Sequence, residues 1–302
     1  MADTPTPVTI SPGGPRFSPI VAGAWRMADW GFAVPARQRW IEHCLELGIT
    51  TFDHADIYGD YQVEGLFGEV LAASPALRQQ MQLVTKCGIK LPSTHRPTHT
   101  MKSYDTSRAH VRASVESSLR ALRTDYVDLL LIHRADVLMD PAELADTFRE
   151  LRDAGKIGHF GVSNHTPSQL ALLHRHIPLV TNQVELSPLQ LDTLTDGTLD
   201  QCIELAIRPM IWSPLGGGRL MTSQEETAVR VRETLDVLAR SRGVSAVTIA
   251  YAWLLRHPAR PLPITGSRRL EALREAIAAL DVTLSSDDWY RIWEAGAGRE
   301  VA

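Results

Sequence analysis

Residues 126–133 have the sequence Tyr-Val-Asp-Leu-Leu-Leu-Ile-His, a short apolar run that ends on a histidine. Such a run, with little polar alternation, is typical of a parallel strand buried on both faces. The residues before it predict an amphipathic helix. The apolar face of that helix consists of Val111, Val115, Leu119 and Leu122. After the run, Asp140, Pro141 and Glu143 are spaced as at a helix start with a capping box.

The same alternation of apolar run and helical pattern occurs eight times. The candidate strands lie at about residues 19–23, 49–53, 82–87, 126–133, 157–162, 179–184, 208–213 and 261–265. Strict alternation predicts a parallel α/β sheet, and eight units favour its closure into a (β/α)8 TIM barrel. No composition break indicates a linker, so we expect residues 1–302 to form one domain.

Three further segments complete the predicted architecture. Residues 8–18 form two β-like runs around Pro-Gly-Gly and predict an N-terminal β-hairpin that covers the bottom of the barrel. Residues 88–106 and 214–244 are longer than ordinary connections between strand and helix. We expect these two segments to lie over the top face as long loops and, with residues 24–34, to shape the substrate site.

The composition excludes several classes of protein. Hydrophobic residues make up 44% and charged residues 22%, as in ordinary globular proteins. The net charge of −4, with both signs mixed along the chain, argues against nucleic acid as a partner. No apolar stretch reaches the roughly 20 residues that a membrane span needs, and no signal-peptide pattern is visible.

The cysteines indicate a reducing environment. Cys44, Cys87 and Cys202 are widely spaced and lack metal-ligand spacing, so we interpret them as free thiols. The sequence therefore predicts a soluble, cytoplasmic protein without a metal site. It does not set the oligomeric state, for which a monomer is our expectation.

Polar side chains follow the predicted strands, where a barrel enzyme carries its catalytic groups. Asp53 and Tyr58 follow the second strand, Lys86 ends the third, and His133 ends the fourth. An ammonium near a tyrosine can stabilise its phenolate and so make it a useful general acid. Aspartate can hold the lysine, and histidine can orient a carbonyl oxygen. The set indicates acid catalysis for a carbonyl that receives a hydride, and the hydride must come from a cofactor.

Six sequence blocks, in order from about residue 19 to 276, together resemble the aldo-keto reductase superfamily. They are Asp-His-Ala-Asp-Ile-Tyr-Gly at 53–59, Lys86, Leu-Leu-Leu-Ile-His-Arg at 129–134, Gly-Val-Ser-Asn at 161–164, Asn-Gln-Val-Glu at 182–185, and Trp-Ser-Pro-Leu-Gly-Gly-Gly-Arg at 212–219. The order and spacing resemble bacterial members of poorly defined substrate. The resemblance implies a catalytic tetrad of Asp53, Tyr58, Lys86 and His133, with Tyr58 as general acid.

The resemblance also implies NADPH, extended across the top of the barrel, and a small carbonyl compound as substrate. Ser163, Asn164 and Gln183 would hold the nicotinamide carboxamide, and Trp212 would stack on the ring. The pyrophosphate would contact Ser213, Leu215, Gly216 and Gly218. The adenosine phosphate would meet Gly266, Ser267 and Arg268. The chain departs from many members at Gly266, where they have lysine, and at Ala272 and Ala276, where they have arginine and asparagine.

Other interpretations of the same residues stay open. The chain can be an NADP-binding regulatory subunit with vestigial reductase activity, or a barrel lyase in which Lys86 forms a Schiff base. Trp25, Trp30 and Tyr61 either line an aromatic substrate pocket or pack loops. His54 and Asp56 are expected to support the site rather than react. We expect surface positions for His95, His99, His174 and His176.

Overall fold

Eight parallel strands close into a barrel in the computed structural model, which describes residues 4–301. Numbered in chain order with the four short hairpin strands, the strands are β1 Val8–Thr9, β2 Arg16–Phe17, β3 Val21–Gly23, β4 Thr51–Asp53, β5 Gln82–Cys87, β6 Ile89–Lys90, β7 Ser103–Tyr104, β8 Val127–Ile132, β9 Ile157–Ser163, β10 Asn182–Glu185, β11 Met210–Trp212 and β12 Leu262–Thr265. The closed order is β10-β11-β12-β3-β4-β5-β8-β9. The predicted (β/α)8 barrel is confirmed.

Helices surround this barrel. They are α1 Val34–Glu46, α2 Tyr58–Tyr61, α3 Val63–Ala73, α4 Arg108–Leu122, α5 Pro141–Asp153, α6 Pro167–His174, α7 Thr198–Glu204, α8 Arg219–Thr222, α9 Glu226–Arg242, α10 Ala246–Leu255, α11 Leu270–Ala278 and α12 Ser286–Ala297. Short 3-10 helices lie at Met27–Trp30, Pro75–Gln80, Asp192–Leu194, Gly216–Gly218 and Ala279–Asp281. Among the helices of residues 4–301, none has the length and apolar character to cross a bilayer.

The apolar run of β8 is buried on both faces because its side chains alternate between two cores. Leu129 and Leu131 point into the barrel, whereas Leu130 and Ile132 pack against the outer helices. The same alternation in β5 places Val84 in the barrel interior and Lys86 above it. A strand buried on both faces can therefore still place one polar side chain, here Lys86, at the top of the barrel.

The N-terminal hairpin plugs the lower end of the barrel, as predicted. β1 and β2 pair antiparallel, and both Ile10 and Phe17 are fully buried among the interior side chains. The amide of Arg208, just before β11, donates to the carbonyl of Ile10 at 2.7 Å. The hairpin thus closes the end opposite to the strand carboxyl termini.

Helix caps follow the sequence signals. The Asp140 side chain accepts hydrogen bonds from the amides of Ala142 and Glu143 at the start of α5. Thr166 and Gln169 form a full capping box at the start of α6. The caps begin these helices directly after the loops that leave β8 and β9, which fixes where those loops end.

The two long segments that the sequence predicted contain regular elements. Residues 91–102 form a long loop, and the residues on either side of it pair as the two-residue strands β6 and β7. Most of 214–244 is helical, and its longest part, α9, packs against α10 and α12 on the outside of the barrel. An apolar face made of Val231, Leu235 and Leu238 explains this placement, since it is buried in the outer core.

Candidate active site

The four candidate catalytic side chains meet at the carboxyl ends of three neighbouring strands. Asp53 is the last residue of β4, Lys86 lies near the end of β5, and His133 directly follows β8. Tyr58 begins α2, the short turn that follows β4. The barrel order β4-β5-β8 therefore brings together residues that are far apart in the sequence.

Lys86 is the centre of this cluster and is fully buried. Its Nζ donates to Asp53 Oδ1 at 2.9 Å and Oδ2 at 2.7 Å, to the His54 carbonyl at 2.8 Å, and to Tyr58 Oη at 3.0 Å. An ammonium has only donors, so the Tyr58 oxygen accepts this bond. The phenolic proton is consequently left for another acceptor.

Charge and burial set the protonation of this pair. Burial acts to lower the pKa of Lys86, but Asp53 and Tyr58 together outweigh this effect, and the pKa is raised. Burial also raises the pKa of Tyr58 above its ordinary 10.0, against the opposing effect of the Lys86 ammonium. The lowering of the Tyr58 pKa that the sequence led us to expect from Lys86 is therefore smaller than the rise caused by burial. At neutral pH the lysine is charged and the phenol carries its proton.

The turn that carries Tyr58 has an unusual backbone. Gly59, Asp60 and Tyr61 follow one another with φ of 55°, 55° and 65°. Glycine is required at position 59, because an added Cβ would lie 2.9 Å from the Cβ of Ala28. Left-handed backbone at the two other residues costs free energy, so the surroundings must hold the turn in place.

His133 faces Tyr58, with ring centroids 5.9 Å apart and planes inclined by 78°. Burial lowers the pKa of His133 well below its usual range, and Lys86 and Arg134 act in the same direction. The imidazole is therefore neutral at neutral pH. Its Nδ1 has no hydrogen-bond partner among residues 4–301. A neutral ring beside a phenol can hydrogen-bond a substrate oxygen without adding charge.

The residues expected at the nicotinamide form one hydrogen-bonded chain across β9, β10 and β11. Ser163 Oγ donates to the Gln183 carbonyl at 2.8 Å, and Asn164 Nδ2 donates to Ser163 Oγ at 2.7 Å. Trp212 Nε1 donates to Asn164 Oδ1 at 3.0 Å. Gln183 Nε2 reaches across the barrel to Asp53 Oδ1 at 2.8 Å. This chain ends on the carboxylate that also holds the lysine.

The glycine segment after β11 turns sharply. Ser213 has φ of 52°, and Gly216, Gly217 and Gly218 have φ of 58°, 68° and 97°. The amide of Gly218 donates to the Leu215 carbonyl at 2.9 Å. An added Cβ at Gly218 would meet nothing within 4 Å, so the backbone there is open to a ligand.

The residues expected at the adenosine phosphate follow β12 and precede the N-terminus of α11. Ser267 Oγ accepts a hydrogen bond from the Arg269 amide at 3.1 Å. Arg268 is exposed, and its Nη1 donates to the Trp30 carbonyl at 3.4 Å. A guanidinium beside a helix N-terminus is a suitable environment for an anion.

The structure shows the surroundings of the three aromatic residues for which the sequence allowed two roles. Trp30 is buried and packs edge-on against Trp40, with centroids 4.8 Å apart, so it belongs to the core. Tyr61 Oη accepts from the Leu91 amide at 2.8 Å and therefore fixes a loop. Trp25 is 55% exposed.

The histidine expectations are partly wrong. His95 and His176 are exposed, as expected. His99 and His174 are half-buried, and His174 Nδ1 accepts a hydrogen bond from the Leu179 amide at 3.1 Å. His54 is fully buried and supports the site through its carbonyl, which accepts from Lys86.

Three residues near the site were given no role from the sequence. Arg134 lies with its guanidinium carbon 5.7 Å from the centre of the Trp212 ring. Glu185 is half-buried, and burial raises its pKa while Arg219 and Arg134 oppose the rise. Glu64 is buried in α3. A glutamate within the apolar stripe of a short helix was the available signal for Glu64.

Comparison with known proteins agrees with this fold. The model of the Aldo/keto reductase family matches residues 19–297. The uncharacterized oxidoreductase YcsN of Bacillus subtilis is 47% identical over 95% of this chain and 96% of its own. A 6-dehydroglucose reductase of Agrobacterium fabrum is 44% identical over 95% and 97%.

A solved aldo-keto reductase has a similar fold. The crystal structure of the thermostable aldo-keto reductase Tm1743 with the inhibitor epalrestat covers 96% of this chain and 99% of its own, with 26% identity and a TM-score of 0.79. With a family match over almost the whole barrel, the chain belongs to the aldo/keto reductase family and is an oxidoreductase of that type.

Proposed function

We propose that the protein reduces aldehydes or ketones to alcohols with NADPH, and that Tyr58 is the general acid. The observation that carries this proposal is the 3.0 Å contact of the fully buried Lys86 Nζ with Tyr58 Oη. A protonated phenol that accepts a hydrogen bond from an ammonium has its own proton free for a carbonyl oxygen. As that proton leaves, the ammonium stabilises the phenolate.

Each of the other residues has a part in this scheme. Asp53 keeps Lys86 charged and oriented through two hydrogen bonds. The neutral imidazole of His133 orients the carbonyl oxygen towards Tyr58. NADPH, when bound, would supply the hydride that the carbonyl carbon accepts. Water is kept from the lysine because its ammonium is completely enclosed.

Several features suit NADPH. The open backbone at Gly218 lets a pyrophosphate approach closely, and the indole of Trp212 offers a flat surface to a ring. The exposed guanidinium of Arg268 supports preference for a 2′-phosphate. Ser163 and Asn164, already linked to each other, would meet the carboxamide.

Polar groups beside Trp212 favour a hydroxylated substrate, and one of them, Arg134, lies near enough to Tyr58 to act to lower its pKa. The Arg134 guanidinium lies beside the Trp212 ring, and Glu185 pairs with Trp212 in the register of β10 and β11. A cation, a carboxyl group and an indole together suit a polyhydroxylated carbonyl compound. The relative that is a 6-dehydroglucose reductase supports the same class. A sugar-derived aldehyde is therefore the substrate to test first.

The test is the loss of reduced-nicotinamide absorbance with a panel of sugar-derived, aliphatic and aromatic aldehydes. We expect turnover with NADPH and a higher kcat/KM for hydroxylated aldehydes. Cofactor binding without turnover of any carbonyl compound would contradict the reductase and favour a regulatory subunit. A borohydride-trapped adduct on Lys86 would instead favour the lyase.

A further inference from the structure

Glu64 contacts the strand that carries Lys86 from behind. It lies in the first turn of α3, directly after the turn that carries Tyr58, and is 4% exposed. Its Oε1 accepts a hydrogen bond from Thr85 Oγ1 at 2.6 Å. Thr85 is buried and precedes Lys86 on β5, so its side chain points away from the barrel interior.

The Tyr58 turn is therefore fixed to β5 at both of its ends. Before the turn, the Asp56 amide donates to the Lys86 carbonyl at 3.0 Å, and Lys86 Nζ donates to the His54 carbonyl. After the turn, the bond from Thr85 to Glu64 is the corresponding attachment. Between them lie two non-glycine residues in left-handed backbone, a conformation that persists only when its surroundings hold it.

We propose that Glu64 is a positioning residue that, through its hydrogen bond from Thr85, holds the Tyr58 turn against β5 and so sets the distance between Tyr58 and Lys86. This inference rests on the proposed reductase function for its effect on turnover. Glu64 does not touch the reacting groups; it acts through the backbone on either side of them.

Glu64 acts here as a hydrogen-bond acceptor rather than as a charge. Burial raises its pKa to about 7, although Thr85, Ser118, Arg96 and Lys86 act against the rise. Burial raises the pKa of two other buried groups, Asp56 and Cys87, and a charged Glu64 raises both pKa values further. A neutral side chain of the same shape can therefore replace it, because an amide oxygen still accepts from Thr85.

The experiment compares Thr85→Val, Thr85→Ser and Glu64→Gln in the full-length enzyme. We expect Thr85→Val to lower kcat roughly ten- to a hundredfold with the KM for the carbonyl substrate little changed, as when reacting groups are misplaced. Thr85→Ser, which keeps the hydroxyl, should restore kcat, and Glu64→Gln should keep most of it.

Thr181→Val is the matched control. Thr181 is buried like Thr85, and its Oγ1 donates to the Arg208 carbonyl at 2.7 Å near the lower end of the barrel. Loss of this hydrogen bond should lower the free energy of unfolding without reducing kcat. If Thr85→Val kept the wild-type kcat, or if Thr85→Ser were as impaired as Thr85→Val, the positioning role would be wrong.

A measurement without catalysis separates this inference from the proposed function. Hydrogen–deuterium exchange of residues 57–63 should speed up in Thr85→Val and stay unchanged in Thr181→Val, because the turn opens locally. Unchanged exchange in Thr85→Val overturns the inference even in an active enzyme. An inactive wild type would overturn the reductase proposal, while the exchange result would still decide the role of Glu64.

Discussion

Gln183 Nε2 donates a 2.8 Å hydrogen bond to Asp53 Oδ1 across the mouth of the barrel. The same oxygen accepts from Lys86 at 2.9 Å. One buried carboxylate therefore links the lysine beside the phenol to the hydrogen-bonded chain of Ser163, Asn164 and Trp212. The proposed proton donor and the proposed nicotinamide site are mechanically connected through Asp53.

Removal of the Gln183 amide should loosen this connection. Gln183→Leu takes one donor from a buried carboxylate, which typically costs about 1–3 kcal/mol. We expect a lower free energy of unfolding by urea denaturation and weaker NADPH binding. Gln190→Leu is the control, since Gln190 Nε2 donates to Asp192 in an exposed pair. Equal effects of the two substitutions on stability would contradict the importance of the Asp53 link.

Removal of the phenolic proton should abolish most turnover. Tyr58→Phe keeps the ring but removes the donor, and general acid catalysis contributes roughly 10²–10⁴-fold. We expect kcat to fall within that range while NADPH binding, measured by fluorescence titration, is retained. More than about a tenth of the wild-type rate in Tyr58→Phe would rule out Tyr58 as the proton donor.

Loss of the ammonium should damage both turnover and stability. Lys86→Met leaves the Asp53 carboxylate buried without its cation, and breaking a buried pair costs about 3–5 kcal/mol. We expect strongly reduced kcat and a lower melting temperature. Asp53→Asn/Lys86→Met, with no net buried charge, should recover stability but not turnover. A double variant as active as the wild type would contradict the role given to Lys86.

The choice between NADPH and NADH should depend on Arg268. Its exposed guanidinium can form a charge-assisted hydrogen bond with a 2′-phosphate, worth about 1.5–3 kcal/mol. Arg268→Ala should therefore raise the Kd for NADPH roughly tenfold or more and leave the Kd for NADH unchanged. Arg240→Ala in α9 is the exposed control. An equal rise in Kd for NADPH and NADH would mean that Arg268 does not contact the 2′-phosphate.

Stability should fall as pH rises through the range in which Glu64 titrates. Burial raises the pKa of Glu64 from 4.5 to about 7, so between these values the folded state keeps a proton that the unfolded state has lost. The retained proton therefore stabilises the folded state at low pH. This contribution to the free energy of unfolding, about 3 kcal/mol, is lost as the pH rises towards 7.

Urea unfolding at about pH 5 and pH 8 measures this difference. Glu64→Gln should show a smaller fall than the wild type, because the amide does not titrate. Glu233→Gln, at an exposed position of α9, should behave as the wild type does. An unchanged pH dependence in Glu64→Gln would mean that Glu64 is not the titrating group.

Much of the fold was predictable because its signals are local. The apolar run of β8 and the caps at Asp140 and Thr166 act within a few residues, and each element formed near its predicted place. The position of α9 was not predictable, since helical spacing indicates an apolar face but not its partner. The polar residues at the strand ends were visible because a closed parallel barrel sends every strand end to one rim.

The sequence by itself determined the barrel, the rim and the residue types placed there. Only the tertiary structure decided which of these side chains touch. The bond from Gln183 to Asp53 joins residues 130 positions apart, and whether Trp30 faces a pocket or the core depends on Trp40 beside it. The physical reason is that periodicity and capping energies act along the chain, whereas contacts across a barrel exist only after all eight strands have closed.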